Sequence, residues 1–187
     1  ADKRIGDMLS SEGGYPDAEK LLLENADFAR EVGADRMVIH GWGVPDSDAY
    51  PERTYGRLLG LRKLAAGRGV DMLTENTCCV CSDPLAHFTE LARQDPDIHF
   101  IVDTRPAQFH RQLIDILQSP VFRDRVTHMH ISDFAGAYKE WGALYPIPQP
   151  GSGGVDWPAV FAALRAIPYL GSLTLEAPAM LPAGVDA

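Results

Sequence analysis

Five short apolar runs in this chain each end in a side chain able to bind a metal. They are Met37-Val38-Ile39-His40, Val70-Asp71-Met72-Leu73-Thr74-Glu75, Phe100-Ile101-Val102-Asp103, Val126-Thr127-His128-Met129-His130 and Leu173-Thr174-Leu175-Glu176. Most follow a segment with helical spacing, and strands alternating with helices argue for a parallel sheet. In a parallel α/β barrel the C-terminal strand ends converge on one mouth. Ends far apart in sequence would then bring two Glu, one Asp and one or two His together. That mixture of oxygen and imidazole donors suits a hard-to-borderline divalent cation.

The helices read as follows. Pro16 and Asp17 open a stretch with Ala18, Leu21, Leu22, Phe28, Ala29 and Val32 near helical spacing, and Gly33 stops it. Pro51 opens a second helix that ends at Gly67 and Gly69. Ser82 or Asp83 caps a third at Pro84. Pro106 starts a fourth, with Phe109, Leu113, Ile116 and Leu117 inward. Asp156 is the expected N-cap of the last, with Val160, Phe161 and Leu164 as its buried stripe. The residues from Pro178 onward read as a loose tail. No repeat, low-complexity tract or linker divides the chain, so a single domain over 1–187 is expected.

The expected fold is α/β, a TIM (β/α)8-type barrel. A full barrel takes about 250 residues, and this chain has 187. The first clear strand, Met37 to His40, already carries a ligand-type residue. The expectation is therefore an incomplete barrel, with N-terminal strand-helix units missing, shortened or supplied elsewhere.

Composition narrows the function. The formal net charge is −9, which repels a nucleic-acid backbone on average. No apolar stretch approaches the roughly 18 residues of a membrane span, and no signal-type segment opens the chain. Cys78, Cys79 and Cys81 are an odd, clustered set. They make a poor disulfide framework and favour a reducing cytoplasm. By themselves they are badly spaced for a soft-metal site.

Each strand-end residue alone has a plain reading as a cap or turn former. Four in succession, Glu75, Asp103, His130 and Glu176, shift the reading to a shared metal site. His40 shares their rim and precedes Gly41-Trp42-Gly43. His40 and Trp42 are the candidate substrate contacts, His40 alternatively a contact of a second metal; the plain readings are backbone hydrogen bonding for His40 and a roof over the core for Trp42. His128 points to the same face as His130, either orienting a ligand or buried structurally. Asp133 either caps the following loop, the plainer reading, or orients His130. His87, His99 and His110 read as surface or packing residues. Lys139 reads as solvated. Gly151-Ser152-Gly153-Gly154 either presents N–H groups to a phosphate or is a plain turn.

Several of these segments carry a family resemblance. They are Leu73-Thr74-Glu75-Asn76, Val102-Asp103-Thr104, His128-Met129-His130-Ile131-Ser132-Asp133, and Gly151 to Trp157 running on to Leu175-Glu176. Over about Glu24 to Pro178 the chain resembles the xylose-isomerase-like TIM-barrel superfamily of sugar-phosphate isomerases, epimerases and AP endonucleases. The resemblance implies that Glu75, Asp103, His130 and Glu176 ligate one divalent ion, Mn, Mg, Co or Zn. There are departures. Pro106 stands where relatives often carry a His, and Gly136 where the ketose 3-epimerase branch often carries Arg. Tyr145-Pro146-Ile147-Pro148 replaces the Asp-x-His pair of the endonuclease branch, so a trinuclear zinc site is not expected.

The implied activity is a metal-dependent isomerase or epimerase of carbohydrate metabolism. It would act on a sugar, polyol ketone or sugar phosphate through an ene-diolate. Glu75 and Glu176 would be the acid/base pair. The alternatives are an endonuclease-like metal phosphodiesterase and a non-catalytic barrel remnant. The expected partner is a small carbohydrate, with no nucleic acid and no membrane; assembly into a homo-oligomer is allowed.

Overall fold

The structure, a computed structural model, describes residues 3–43, 47–167 and 169–177. The tail expected from Pro178 lies outside the described residues. Five parallel strands form one sheet in sequential order: β1 (Arg36–His40), β2 (Asp71–Glu75), β3 (His99–Asp103), β4 (Val126–Ile131) and β5 (Ser172–Leu175). Parallel neighbours need crossover connections. Here α3 (Pro51–Gly67), α4 (Pro84–Gln94) and α8 (Trp157–Ala166) supply three of them, and a broken helical segment supplies the fourth. The result is half of a TIM-type barrel.

The register makes the curvature quantitative. His40 pairs with Glu75, and Glu75 pairs with Ile101, two residues before Asp103. Asp103 pairs with His130, and His130 with Thr174, two before Glu176. From β1 to β5 the five strand-end residues therefore climb four residues over four strand-to-strand steps. A closed eight-stranded barrel with a shear of eight rises about one residue per strand. The tilt of the strands converts this climb into a level ring around the barrel axis.

Helix ends follow local chemistry. Gly33 and Gly69 adopt φ of 77° and 72° just past α2 (Tyr15–Glu31) and α3, a left-handed backbone that favours glycine. The Asp83 and Asp156 carboxylates accept from Ala86 N and Ala159 N at the starts of α4 and α8. The core joins the sheet to these helices through Leu58, Leu61, Phe88, Leu91, Phe100, Val102, Met129 and Val160. Phe88 stacks on Phe100 with ring centroids 4.2 Å apart.

Three features depart from the sequence reading. An added helix, α1 (Lys3–Ser10), buries Ile5 and Leu9. Its Gly6 lies so close to the chain at Trp42 that a Cβ would stand 2.5 Å from a backbone carbon. The single helix expected from Pro106 is instead α5 (Thr104–Phe109), α6 (Leu113–Gln118) and α7 (Pro120–Arg125). Arg111, at φ 54°, breaks the first from the second, and the Ser119 hydroxyl caps the third. Finally, Phe161 is exposed rather than part of the buried stripe of α8. Among the described residues no helix is long and apolar enough to cross a membrane.

Candidate metal centre

The cleft at the C-terminal strand ends has a volume of about 250 Å³, and Glu75, Asp103, Glu176, His40, Asp7 and Arg105 are among its lining residues. His130 Nδ1 lies 2.7 Å from Glu75 Oε1 and 3.2 Å from Glu176 Oε2. His40 Nε2 lies 3.1 Å from the other Glu75 oxygen. Ligand-type atoms of Glu75, His130 and Glu176 all fall within 4.8 Å of one another. One oxygen of Glu75 thus meets β4 and the other meets β1.

Asp103 stands beside this trio. Its Oδ1 accepts from Ser132 Oγ at 2.6 Å and from the Arg105 amide at 2.9 Å, which makes it the N-cap of α5. Asn76 holds the same strand end through two bonds. Its side-chain amide donates to the Asp103 carbonyl, and its oxygen accepts from the Asp103 N–H. The Glu75-Asn76 dipeptide therefore delivers a carboxylate and stitches β2 to β3 beyond their ladder.

The electrostatics separate the carboxylates. Burial pushes the Glu75 carboxyl up, but hydrogen bonds from His130 and His40 prevail and hold it at about 2. Asp103 is raised to about 6 by burial and by the neighbouring Glu75 charge, against the Ser132 and Arg105 hydrogen bonds. Burial lowers the His130 imidazole, but the Glu75 carboxylate outweighs it and the net shift is upward. Exposure differs too: the Glu75 side chain is 4% exposed and that of Glu176 is 55% exposed.

The donor set fits a divalent cation. It offers carboxylate oxygens and one imidazole nitrogen, the mixture that divalent cations of the Mn, Co and Zn series accept. The His130 nitrogen faces two carboxylates at once, and a third carboxylate, Asp103, is buried alongside.

Other candidates fall differently. The structure does not bring Trp42 to the cleft: it is buried, with its ring centroid 4.2 Å from that of His87. Trp42 roofs the core. His128 Nδ1 pairs with Ser172 Oγ at 2.5 Å, and its ring stands edge-on to His130 at 5.3 Å. The Gly151–Gly154 amides are not free for a phosphate. Gly151 N, Gly153 N and Val155 N donate to Asp133, as do Phe134 N and the Trp157 indole. Burial raises the Asp133 carboxyl, but these donors hold it below its ordinary range. Lys139 donates to the Val80 and Ser82 carbonyls. His87 and His110 are buried, not superficial.

Sequence reasoning missed Arg105 and Asp7 as cleft residues. Arg105 follows the strand-end Asp by two, and its guanidinium donates to the Leu144 carbonyl and lies 5.4 Å from the Tyr145 ring centroid. Asp7 comes from α1, which no sequence signal disclosed. Gly136 leaves no room for an Arg side chain. A Cβ there would stand 2.5 Å from both Phe134 Cζ and Ala143 Cβ.

The chain belongs to the xylose isomerase-like TIM barrel family, whose model matches residues 13–186. Among solved structures it is similar to a xylose isomerase domain protein from Planctomyces limnophilus. The identity there is 24% and the TM-score 0.68, over 86% of this chain and 59% of that one. It is also similar to an L-ribulose 3-epimerase, at 19% identity and TM-score 0.70, over 92% of this chain and 58% of that one. An IOLI protein with a binding zinc atom matches at 16% identity and TM-score 0.70, covering 89% and 62%. The chain thus spans about three-fifths of the length of these structures. No curated protein matches the sequence.

Proposed function

We propose that the cleft is the active site of a divalent-metal-dependent sugar isomerase or epimerase. The observation that carries this reading is the meeting of Glu75, His130 and Glu176 within 4.8 Å at the barrel mouth. The solved L-ribulose 3-epimerase and the zinc-binding IOLI protein share the fold and support it. Glu75, His130 and Glu176 would hold the ion, with Asp103 as the fourth ligand. Bound there, the ion would polarise a substrate carbonyl and its adjacent hydroxyl as a Lewis acid.

The chain's own groups do the rest. Glu75 and Glu176 are assigned the proton transfers at the carbon beside the carbonyl, since both carboxylates meet at His130. His40 fixes Glu75 through its second oxygen, so that carboxylate keeps one orientation. Arg105 is assigned to a substrate hydroxyl or carbonyl oxygen in the space that Pro106 leaves without an imidazole. The small cleft suits one monosaccharide-sized molecule rather than a polymer. Asp7, Glu75, Asp103 and Glu176 outnumber Arg105 as its charged lining, and the glycine-loop amides already serve Asp133. An unphosphorylated sugar or polyol ketone is therefore favoured over a sugar phosphate.

The test is a panel of ketoses and aldoses with the metal-loaded protein in deuterated water. Deuterium uptake beside the carbonyl, followed by NMR, is expected. Turnover without exchange would instead mean hydride shift or hydrolysis.

A further inference from the structure

A second cluster of ligand-type side chains lies behind the loops that follow β1 and β2. Asp48, Cys79 and His87 come from the segment before α3, the loop after β2, and α4. Their ligand atoms fall within 4.8 Å of one another, and all three residues are buried. His87 is 1% exposed, yet its Nε2 has no hydrogen-bond partner among the described residues. That nitrogen points at Asp48 Oδ2 from 3.4 Å, too far for a good hydrogen bond.

The His87–Asp48 edge fits a shared metal better than it fits a hydrogen bond. Zinc bonds of about 2.0–2.1 Å to nitrogen or oxygen and about 2.3 Å to sulfur place tetrahedral ligand atoms about 3.3–3.6 Å apart. The His87–Asp48 separation is already such an edge. The other His87 nitrogen, Nδ1, is 2.6 Å from the Tyr55 hydroxyl. Metal-binding imidazoles are commonly held in this way through their second nitrogen. Asp48 is fixed by three amides: Cys81 N and Ser82 N donate to Oδ2 and Val80 N to Oδ1, so an ion would share the carboxylate with them. His110 Nε2 accepts from the Cys79 amide at 3.1 Å and lies 3.4 Å from Cys79 Sγ, whose thiol also reaches the Ser82 carbonyl at 3.4 Å; binding an ion would replace these thiol contacts.

We propose that Asp48, Cys79 and His87 form a buried zinc-class site, separate from the rim cleft, with a water completing the tetrahedron. One carboxylate and one thiolate balance a dication, so the filled site is neutral, as a dry interior requires. The thiol proton leaves to solvent when the ion binds. The thiolate excludes magnesium and manganese, which take oxygen ligands. Cys78 packs against Phe109 and Phe134, and Cys81 is exposed, so only Cys79 of the three serves this site.

The test is zinc X-ray absorption on the whole chain saturated with zinc. One sulfur scatterer at about 2.3 Å is expected. It should persist in Glu75→Gln and Cys81→Ser and vanish in Cys79→Ser. His87→Gln serves as a second variant, expected to lower zinc content by one per chain. Only nitrogen and oxygen scatterers in the saturated wild-type chain would overturn the proposal. So would a sulfur signal that survives in Cys79→Ser or disappears with Cys81. None of these outcomes depends on the activity of the rim cleft.

Discussion

The two ligand clusters differ in how they are made. The rim cluster is built by strand register: Glu75 ends β2, His130 is the next-to-last residue of β4, Glu176 directly follows β5, and one side of it opens to solvent through Glu176. The inner cluster is built by loop and helix packing, from Asp48, Cys79 and His87, and is closed on all sides. The rim offers oxygens and one imidazole, whereas the inner cluster adds a cysteine sulfur. An open site of hard donors can admit substrate and exchange its ion; a closed site with sulfur is suited to holding an ion and tying loops together. On the two proposals, the chain would separate a place for chemistry from a place for structure.

The largest effect should come from the exposed member of the rim. Glu176→Gln keeps the shape and removes a proton-transfer group, and general acid–base catalysis contributes about 10²–10⁴-fold. Solvent-exchange rates measured by NMR should fall by at least that range. An unchanged rate would transfer the role to Glu75 alone and break the symmetry assigned to the pair.

The next effect tests whether the glycine loop is held by Asp133 and not by a ligand. Asp133→Ala strands five buried or half-buried donors. Hydrogen bonds to a charged group are worth about 1.5–3 kcal/mol each when lost unpaired. Some donors recover water, so a net loss of about 3 kcal/mol in urea unfolding is expected. A loss below 1 kcal/mol, on the order of one ordinary hydrogen bond, would mean that the loop holds itself.

A smaller effect concerns the cost of the rim without its ion. Asp103 has a folded-state value of about 6, above its ordinary 3.8. For an acid raised on folding, the stabilising contribution is complete below the unfolded value and is lost as pH climbs through about 6. At pH 7.5 the cation-free chain therefore holds an ionised, buried Asp103 beside Glu75. Asp103→Asn should raise its stability there by about 1–3 kcal/mol, since one pKa unit is 1.36 kcal/mol, and by nearly nothing at pH 4. Equal destabilisation at both values would show that the carboxylate's hydrogen bonds, not its charge, dominate. Glu75 has the opposite sign. Its value is depressed to about 2, so its contribution stands above about 4.5 and fades as pH falls toward 2.

The rim was legible in the sequence because strand ends are local: an apolar run followed by Glu, Asp or His marks a position on a sheet edge. The register that brings those ends level is not local, and neither is the gap that sets Asp103 beside the trio. His87 and Asp48 were invisible for the same reason. A histidine inside an amphipathic helix reads as packing, and only the fold shows it facing Asp48 and Cys79. The fourth helical segment misled because Pro106 looks like a helix start. That helix starts two residues earlier, at Thr104, capped by Asp103, and the positive φ of Arg111 ends it. The helix α1 left no signal beyond two apolar residues, and Asp7 was hidden with it.

The central claim, that Glu75 anchors a divalent ion at the barrel mouth, is tested most directly by manganese titration followed by paramagnetic resonance. Manganese prefers oxygen donors and disfavours a cysteine sulfur such as that of the inner cluster, so it reports on the rim. One ion per chain is expected in the wild type. Glu75→Gln should weaken it at least 100-fold, as loss of a ligand exceeds the 10–100-fold cost of losing a ligand's hydrogen-bond partner. Equal stoichiometry and affinity in the two proteins would contradict the assignment.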